Sequence, residues 1–412
     1  MSSGPPESLT ALVERFDASV FDAPAGHARI RLTVTGQGEW DVVVRGGKAL
    51  LREASERRPD SEITADARAW RELGQGLVGG MDIYRAGRMT VRRDLHIGVG
   101  FLAATATDAG EGRLRFARVR TREGRVATLE AGTGRPVLML HGLGGTKISF
   151  LPTVAALASP ECRTIAMDAP GFGDSDKPIG SYDAEFMARW AVGLLDSLGI
   201  EKADILGHSM GGRVALELGM RHADRVNSLM LMTPSMAWRG HKPWVPYLRL
   251  LRPELGFLQP APRPIVEAFV RRMIPAAGSQ NWSGAGVDEF LRAYLTPRGR
   301  VAFYAAARQI YLENGDGPDG FWSRLEHCGP RALFLWGKRD QLVPIGFARH
   351  VAEALPSAEH VELDCGHIPQ FERPAQTHAA LTAFLRGASA HGRRARPSAA
   401  RATRRHAQSG RG

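Results

Sequence analysis

Two rhythms of apolar and polar residues divide the chain. Up to about residue 105 apolar positions alternate singly with polar ones: Ile30, Leu32 and Val34 in "ARIRLTV", then Trp40, Val42 and Val44 in "EWDVVV". A period of two puts one face of a strand in the core and the other in water, so these segments predict half-buried antiparallel strands joined by the turn "TGQGE". A second turn, "RGGK", leads to Ala49, Leu50 and Leu51 and extends the meander. "DARAWRELGQGL" reads as a helix, and "GMDIYRAGRMTV" as short strand-like segments around Gly87.

Beyond "DAGEGRLRF", read as a linker, the apolar residues run on almost uninterrupted in "VLMLHG", "CRTIAMDAPG", "ADILGHS", "VNSLMLMTPS", "RALFLWGKRD" and "AEHVELDCGH", with helical stretches between them. Strands apolar on both sides are covered by helices on both faces, so the predicted fold class is α/β with a mostly parallel sheet. From about 237 to 328 this rhythm gives way to segments rich in Trp, Pro, Leu and Arg, including "HKPWVPYLRLL", "PIVEAFVRRMI" and "VDEFLRAYL". An insertion of roughly 90 residues is too long for a loop and predicts a helical cap. The expected organisation is a small α+β domain over 1–108, an α/β domain over 109–387 carrying the cap, and a tail over 388–412.

Composition narrows the classes. With 43% hydrophobic and 24% charged residues, wholesale disorder and a membrane bundle are excluded, and no apolar run approaches the ~18 residues that span a bilayer. The net charge of +11 is concentrated in residues 391–412, "HGRRARPSAARATRRHAQSGRG", which hold seven arginines and no acidic residue; without them +4 remains. The tail therefore reads as a solvated segment able to contact anionic surfaces weakly, and no specific nucleic-acid partner is expected. "MSSGPPESLT" lacks the basic start and apolar core of a secretory signal, and Cys162, Cys328 and Cys365 lack disulfide or metal-ligand spacing, so a cytoplasmic location is expected.

The segment from Leu9 to Phe101 resembles the sterol carrier protein 2 (SCP2) family in the order of its features: the strands, "EWDVVVRGGKALL", "SEITADARAWRELGQG", then "DIYRAGRMTVRRD". That resemblance implies a small lipid-binding domain with an apolar tunnel for acyl chains or sterols.

The chemistry centres on "ILGHSMGGRV". A buried strand ends at Ser209 and a helix follows, and Gly207, Ser209 and Gly211 satisfy G-x-S-x-G, a sharp turn that presents a serine hydroxyl at the sheet's carboxyl edge. A Cβ at either flank would collide with neighbouring backbone. Serine needs a base to take its proton, and that base needs an acid to fix its tautomer. Asp340 in "LFLWGKRDQLVP" and His367 in "VELDCGHIPQFERP" follow in the required order, with Asp364 as a rival acid expected to point elsewhere. "LMLHGLGGTKISF" supplies a glycine-rich loop after a buried strand, so the backbone N–H groups of Leu143 and Met210 are the candidate oxyanion donors. Asp168 and Asp174 are expected to shape the neighbouring loop, and His208 to point away from the chemistry.

Over roughly residues 115 to 387, "HGLGG", "DAPGFGDSDKP", "GHSMGG", "GKRDQLVP" and "CGHIPQFERP" together resemble the α/β-hydrolase family. This implies a triad of Ser209, Asp340 and His367. Serine as nucleophile separates the chain from the haloalkane dehalogenase and epoxide hydrolase branches, which carry aspartate there. The expected function is hydrolysis of a carboxylic ester, with a hydrophobic acyl or lipid-like substrate suggested by the carrier-like domain. Carbon–carbon bond hydrolysis of the ring-cleavage type is the alternative, although that subgroup has asparagine before the serine and tryptophan soon after the histidine, where this chain has His208 and Ile368. Transfer to an acceptor other than water, a cofactor-free haloperoxidase-like side activity, and a lipid carrier with a non-catalytic hydrolase fold are further readings. No cofactor or metal is expected, because neither a GxGxxG unit nor a P-loop is present.

Overall fold

The structure, a computed structural model, describes residues 4–23, 25–77, 79–107, 113–238 and 280–394, with isolated positions between 252 and 268. Its first sheet has five strands in the order β3-β2-β1-β4-β5: β1 (His27–Val34), β2 (Gly38–Arg45), β3 (Lys48–Glu53), β4 (Ser61–Ala65) and β5 (Met89–Arg93). The first three form the expected antiparallel meander, and β4 joins β1 in parallel. Ala28, Ile30, Leu32 and Val34 line the buried face of β1, as an alternating strand requires. Four helices accompany this sheet: α1 (Glu7–Glu14), α2 (Ala67–Gly74), α3 (Gly80–Arg85) and α4 (Leu95–Ala104).

Two features differ from the sequence reading. Met81 to Tyr84 lie in α3, where strand-like segments were expected; a helical turn buries the neighbours Ile83 and Tyr84 together, whereas a strand would turn one of them outward. Helix α4, unread in the sequence, is buried almost all round. It lies between the two sheets, because a Cβ on Gly98 would meet Val91 and Ser61 of the first sheet at 2.4 and 2.6 Å, while Gly100 approaches Phe116 of the second.

The second sheet has eight strands in the order β13-β12-β11-β10-β8-β9-β7-β6. The antiparallel pair β6 (Arg115–Arg120) and β7 (Arg125–Ala131) forms one edge, so pairing begins inside the segment read as a linker. The six apolar runs become β8 (Arg135–Leu140), β9 (Cys162–Met167), β10 (Ala203–His208), β11 (Val226–Met232), β12 (Arg331–Gly337) and β13 (Glu359–Leu363), all parallel to their neighbours in this group. Alternate residues enter different cores. Val137 and Met139 join a cluster with α5 (Leu151–Leu157) and with α4 and the first sheet, while Leu138 and Leu140 join α6 (Ala184–Ser197) and α7 (Met210–Arg221). Burial on both faces is why β8 to β12 carry no polar alternation, whereas the edge strand β13 leaves Glu359 and Glu362 exposed.

Of the expected cap, α8 (Gln280–Tyr294) and α9 (Pro297–Leu312) are described; "HKPWVPYLRLL" and most of "PIVEAFVRRMI" lie outside the described residues. Four helices follow: α10 (Phe321–Leu325), still within the expected cap segment, then α11 (Phe347–Ala354), α12 (Pro369–Glu372) and α13 (Pro374–Arg394). The last of them runs past the expected start of the tail at 388. Among the described residues no helix is long and apolar enough to cross a membrane.

Candidate active site

Ser209 occupies the junction between β10 and α7 with φ 52° and ψ −118°, a conformation that costs a non-glycine residue of order 1–3 kcal/mol and persists only where the surroundings enforce it. Its N–H donates to the Met232 carbonyl at 3.0 Å, and its own carbonyl accepts from the Ser235 N–H at 2.9 Å. The flanking glycines are sterically required. A Cβ on Gly207 would stand 2.4 Å from the Gly211 carbonyl oxygen, and one on Gly211 only 1.9 Å from that of Leu140.

The other two predicted side chains converge on this serine. Ser209 Oγ donates to His367 Nε2 at 2.8 Å, and His367 Nδ1 donates to Asp340 Oδ2 at 2.7 Å. Asp340 hangs from the turn after β12, where its Oδ1 accepts the N–H groups of Leu342 and Val343 at 2.8 and 3.0 Å. One carboxylate oxygen thus holds the turn and the other holds the histidine. The rival Asp364 sits on the surface against Arg339, 3.1 Å from its Nε.

His208 departs from expectation. Instead of pointing away, its Nε2 donates to the His367 carbonyl at 2.8 Å, with the two rings 5.2 Å apart. Thr233 Oγ1 donates to the same carbonyl, also at 2.8 Å. Burial, reinforced by the neighbouring His367, pushes the His208 pKa down to about 3, so the ring is neutral and serves as a fixed donor. The one sequence signal for this role is a polar ring at the end of a fully buried strand.

The loop after β8 closes against the serine. A Cβ on Gly142 would lie 3.1 Å from Ser209 Cβ and 2.9 Å from His208 Nδ1, so any larger residue would press against both. His141 is buried and its pKa is lowered by that burial; Nδ1 donates to the Gly142 carbonyl at 2.8 Å and Nε2 accepts the Ala169 N–H at 3.0 Å. The Gly145 N–H binds the same carbonyl at 3.0 Å. In a trans peptide N–H and C=O point in opposite directions, so this pinned carbonyl turns the Leu143 N–H away from His141 and Gly145. Met210 opens α7, and its N–H has no acceptor within the helix.

Asp168 and Asp174 hold the far end of that loop. Lys147, fully buried, donates its N–H to Asp168 Oδ1 at 2.6 Å and its Nζ to both Asp168 and Asp174 at 2.8 Å. Burial lowers a lysine's affinity for its proton, but the two carboxylates more than offset it and hold the Lys147 pKa above its ordinary value. Beside the elbow lies a cavity of about 190 Å³ whose walls include Met210, Val214, Ile310 and the paired Arg213 and Glu313.

A turn of this geometry, a mostly parallel sheet and helices on both of its faces define a class, and residues 135–374 match the model of the alpha/beta hydrolase fold. The chain belongs to the α/β-hydrolase family. It is 31% identical over 288 residues to the dihydrolipoyllysine-residue acetyltransferase component of the acetoin cleaving system of Cupriavidus necator, an alignment covering 68% of this chain and 72% of that protein. It is 29% identical over 283 residues to the 2-hydroxymuconate semialdehyde hydrolase of a Pseudomonas species, covering 63% and 90% respectively. Among solved structures, the enol-lactonase of Burkholderia xenovorans superposes with a TM-score of 0.55 at 22% identity, covering 66% of this chain and all of that one.

Proposed function

We propose that the protein is a serine hydrolase that cleaves a carboxylic ester through an acyl-enzyme. The observation that carries this reading is the continuous hydrogen-bond chain from Ser209 Oγ through His367 to Asp340, at 2.8 and 2.7 Å. Ser209 Oγ attacks the ester carbonyl carbon while His367 Nε2 takes its proton, and the oxyanion that forms is met by the Leu143 and Met210 N–H groups. On collapse the C–O bond breaks and His367 returns the proton to the departing alkoxide. Water, deprotonated by His367, then attacks the acyl carbon, and the carboxylic acid leaves as Ser209 regains its proton.

A second reading, hydrolysis of a carbon–carbon bond, is favoured by the relative named a 2-hydroxymuconate semialdehyde hydrolase, most of whose length is matched. The test is turnover of p-nitrophenyl esters of increasing acyl length beside a dienoic diketone, with wild type and Ser209→Ala. Serine-dependent ester turnover well above diketone turnover supports the ester reading; the reverse order replaces it with the second. The resemblance of residues 9–101 to the sterol carrier protein 2 family supports a hydrophobic acyl substrate, for which turnover rising with chain length is the expected result.

A further inference from the structure

The N-terminal sheet reaches the active-site loop through one cap helix, α8. At the end of β5, Arg93 adopts φ 74°, a left-handed conformation rare for a residue with a side chain. That geometry delivers its N–H to Asp288 Oδ2 at 2.9 Å, and Arg92 Nε donates to the same oxygen at 2.8 Å. Asp288 is buried on α8. One turn further along, Arg292 grips Asp174 with two bonds, Nη1 to Oδ1 at 2.7 Å and Nη2 to Oδ2 at 3.1 Å. Asp174 also accepts from Lys147, at the far end of the 142–147 loop. Between them, Phe290 covers Gly144, where a Cβ would meet its ring at 2.5 Å.

Helix α4 adds to the same junction. Its N-cap Asp94 stands 3.7 Å from Arg292 Nε, and His96 Nδ1 stands 3.3 Å from Asp174 Oδ2. The centre of the cluster is dry: Lys147, His96 and Asp168 are fully buried, and Asp288 and Glu289 are each 5% exposed, while Arg292 and Arg92 stand at its rim, 23% and 45% exposed. Charges so placed resist rearrangement, because moving one leaves its partner uncompensated in a low-dielectric site.

We propose that the N-terminal sheet is the abutment of the cap: Arg92 and Arg93 fix α8 through Asp288, and Arg292, through Asp174 and Lys147, positions the loop that carries the Leu143 N–H. Arg92, Arg93, Asp288 and Arg292 are then positioning residues for oxyanion stabilisation. This rests on the serine-hydrolase reading for its kinetic consequence, though not for its structural one. A displacement of about 1 Å at a preorganised site is worth on the order of 10²-fold in rate.

The experiment uses the full chain with Arg292→Met, Arg292→Lys, Asp288→Ala and the distant control Arg331→Met, whose ion pair with Glu359 lies at the other edge of the sheet. Two quantities are read: amide hydrogen exchange of the peptide spanning residues 141–150, and kcat against KM on the best p-nitrophenyl ester. Arg292→Met and Asp288→Ala are expected to accelerate exchange in that peptide about 10-fold or more and to lower kcat by about 10- to 100-fold with KM within about 3-fold. Arg292→Lys should recover part of both, and Arg331→Met should change neither, even if its melting temperature falls as far. Unchanged loop exchange in folded Arg292→Met or Asp288→Ala overturns the proposal, as does an equal rise in Arg331→Met. If wild type turns over no ester, the serine-hydrolase reading fails, and loop exchange still decides this one.

Discussion

Replacing Gly211 by alanine adds one carbon atom, and its consequence can be worked from the packing of β8 against α7. The new Cβ would stand 1.9 Å from the Leu140 carbonyl oxygen, 2.4 Å from the Leu140 carbonyl carbon and 2.7 Å from the His141 carbonyl oxygen. All three are backbone atoms of the strand that leads into the oxyanion loop, so no rotamer change relieves the contact. Restoring a separation of about 3 Å moves strand and helix apart by about 1 Å, an overpacking that costs about 1–3 kcal/mol of stability. The same displacement separates the Met210 and Leu143 N–H groups, which sit on opposite sides of the contact, and is expected to lower kcat by on the order of 10²-fold. Gly286→Ala is the matched control. It lies inside α8 with nothing within 4 Å of the added atom, and alanine there should stabilise by about 0.5–1 kcal/mol. The assay is urea unfolding followed by ester turnover for both variants. Wild-type kcat in folded Gly211→Ala would refute the argument that this contact sets the donor geometry.

The remaining expectations follow from the same site. Asp340→Asn keeps an oxygen for the Leu342 and Val343 N–H groups but presents an amide donor to His367 Nδ1, reversing the tautomer; kcat should fall by on the order of 10⁴-fold with little change in melting temperature. His208→Phe removes one of two donors to the His367 carbonyl and leaves Thr233, so the loss should be about 1 kcal/mol, read as a roughly 5-fold fall in kcat/KM. Glu217 supplies a pH dependence: burial raises its pKa, but Arg213, Arg221 and Arg324 outweigh it and bring it to about 2 from 4.5. The unfolded chain therefore takes up this proton first, so the stabilisation is complete above about pH 5 and lost as pH falls toward 2. Glu217→Gln should flatten the melting temperature against pH within that window, and an unchanged slope would exclude this carboxylate as its source.

How far the molecule could be read from its sequence depended on the range of the interactions concerned. The five runs beginning at Arg135, Cys162, Ala203, Val226 and Arg331 were legible because burial on both faces leaves a local composition signal; the edge strand at Glu359 is half exposed. Gly207, Ser209 and Gly211 were legible because a turn of this kind demands those residue types within five positions. Asp340 and His367 followed from the chemical needs of the serine and from their order along the chain. Helix α4 was illegible: apolar on nearly every side, it has no period to separate helix from strand, and only the presence of a sheet on each face explains it. His208 was misread because its partner is a backbone carbonyl 159 residues away, and a carbonyl carries no residue identity. The cluster joining Arg92, Asp174, Asp288 and Arg292 draws on β5, the loop after β9, and α8; each of these charges alone reads as an ordinary surface residue. Side-chain chemistry confined to a few neighbouring positions was thus determined by the sequence itself. Which buried charges meet, and which face of a helix looks at which sheet, was decided only when tertiary packing excluded water and left each group its nearest available partner.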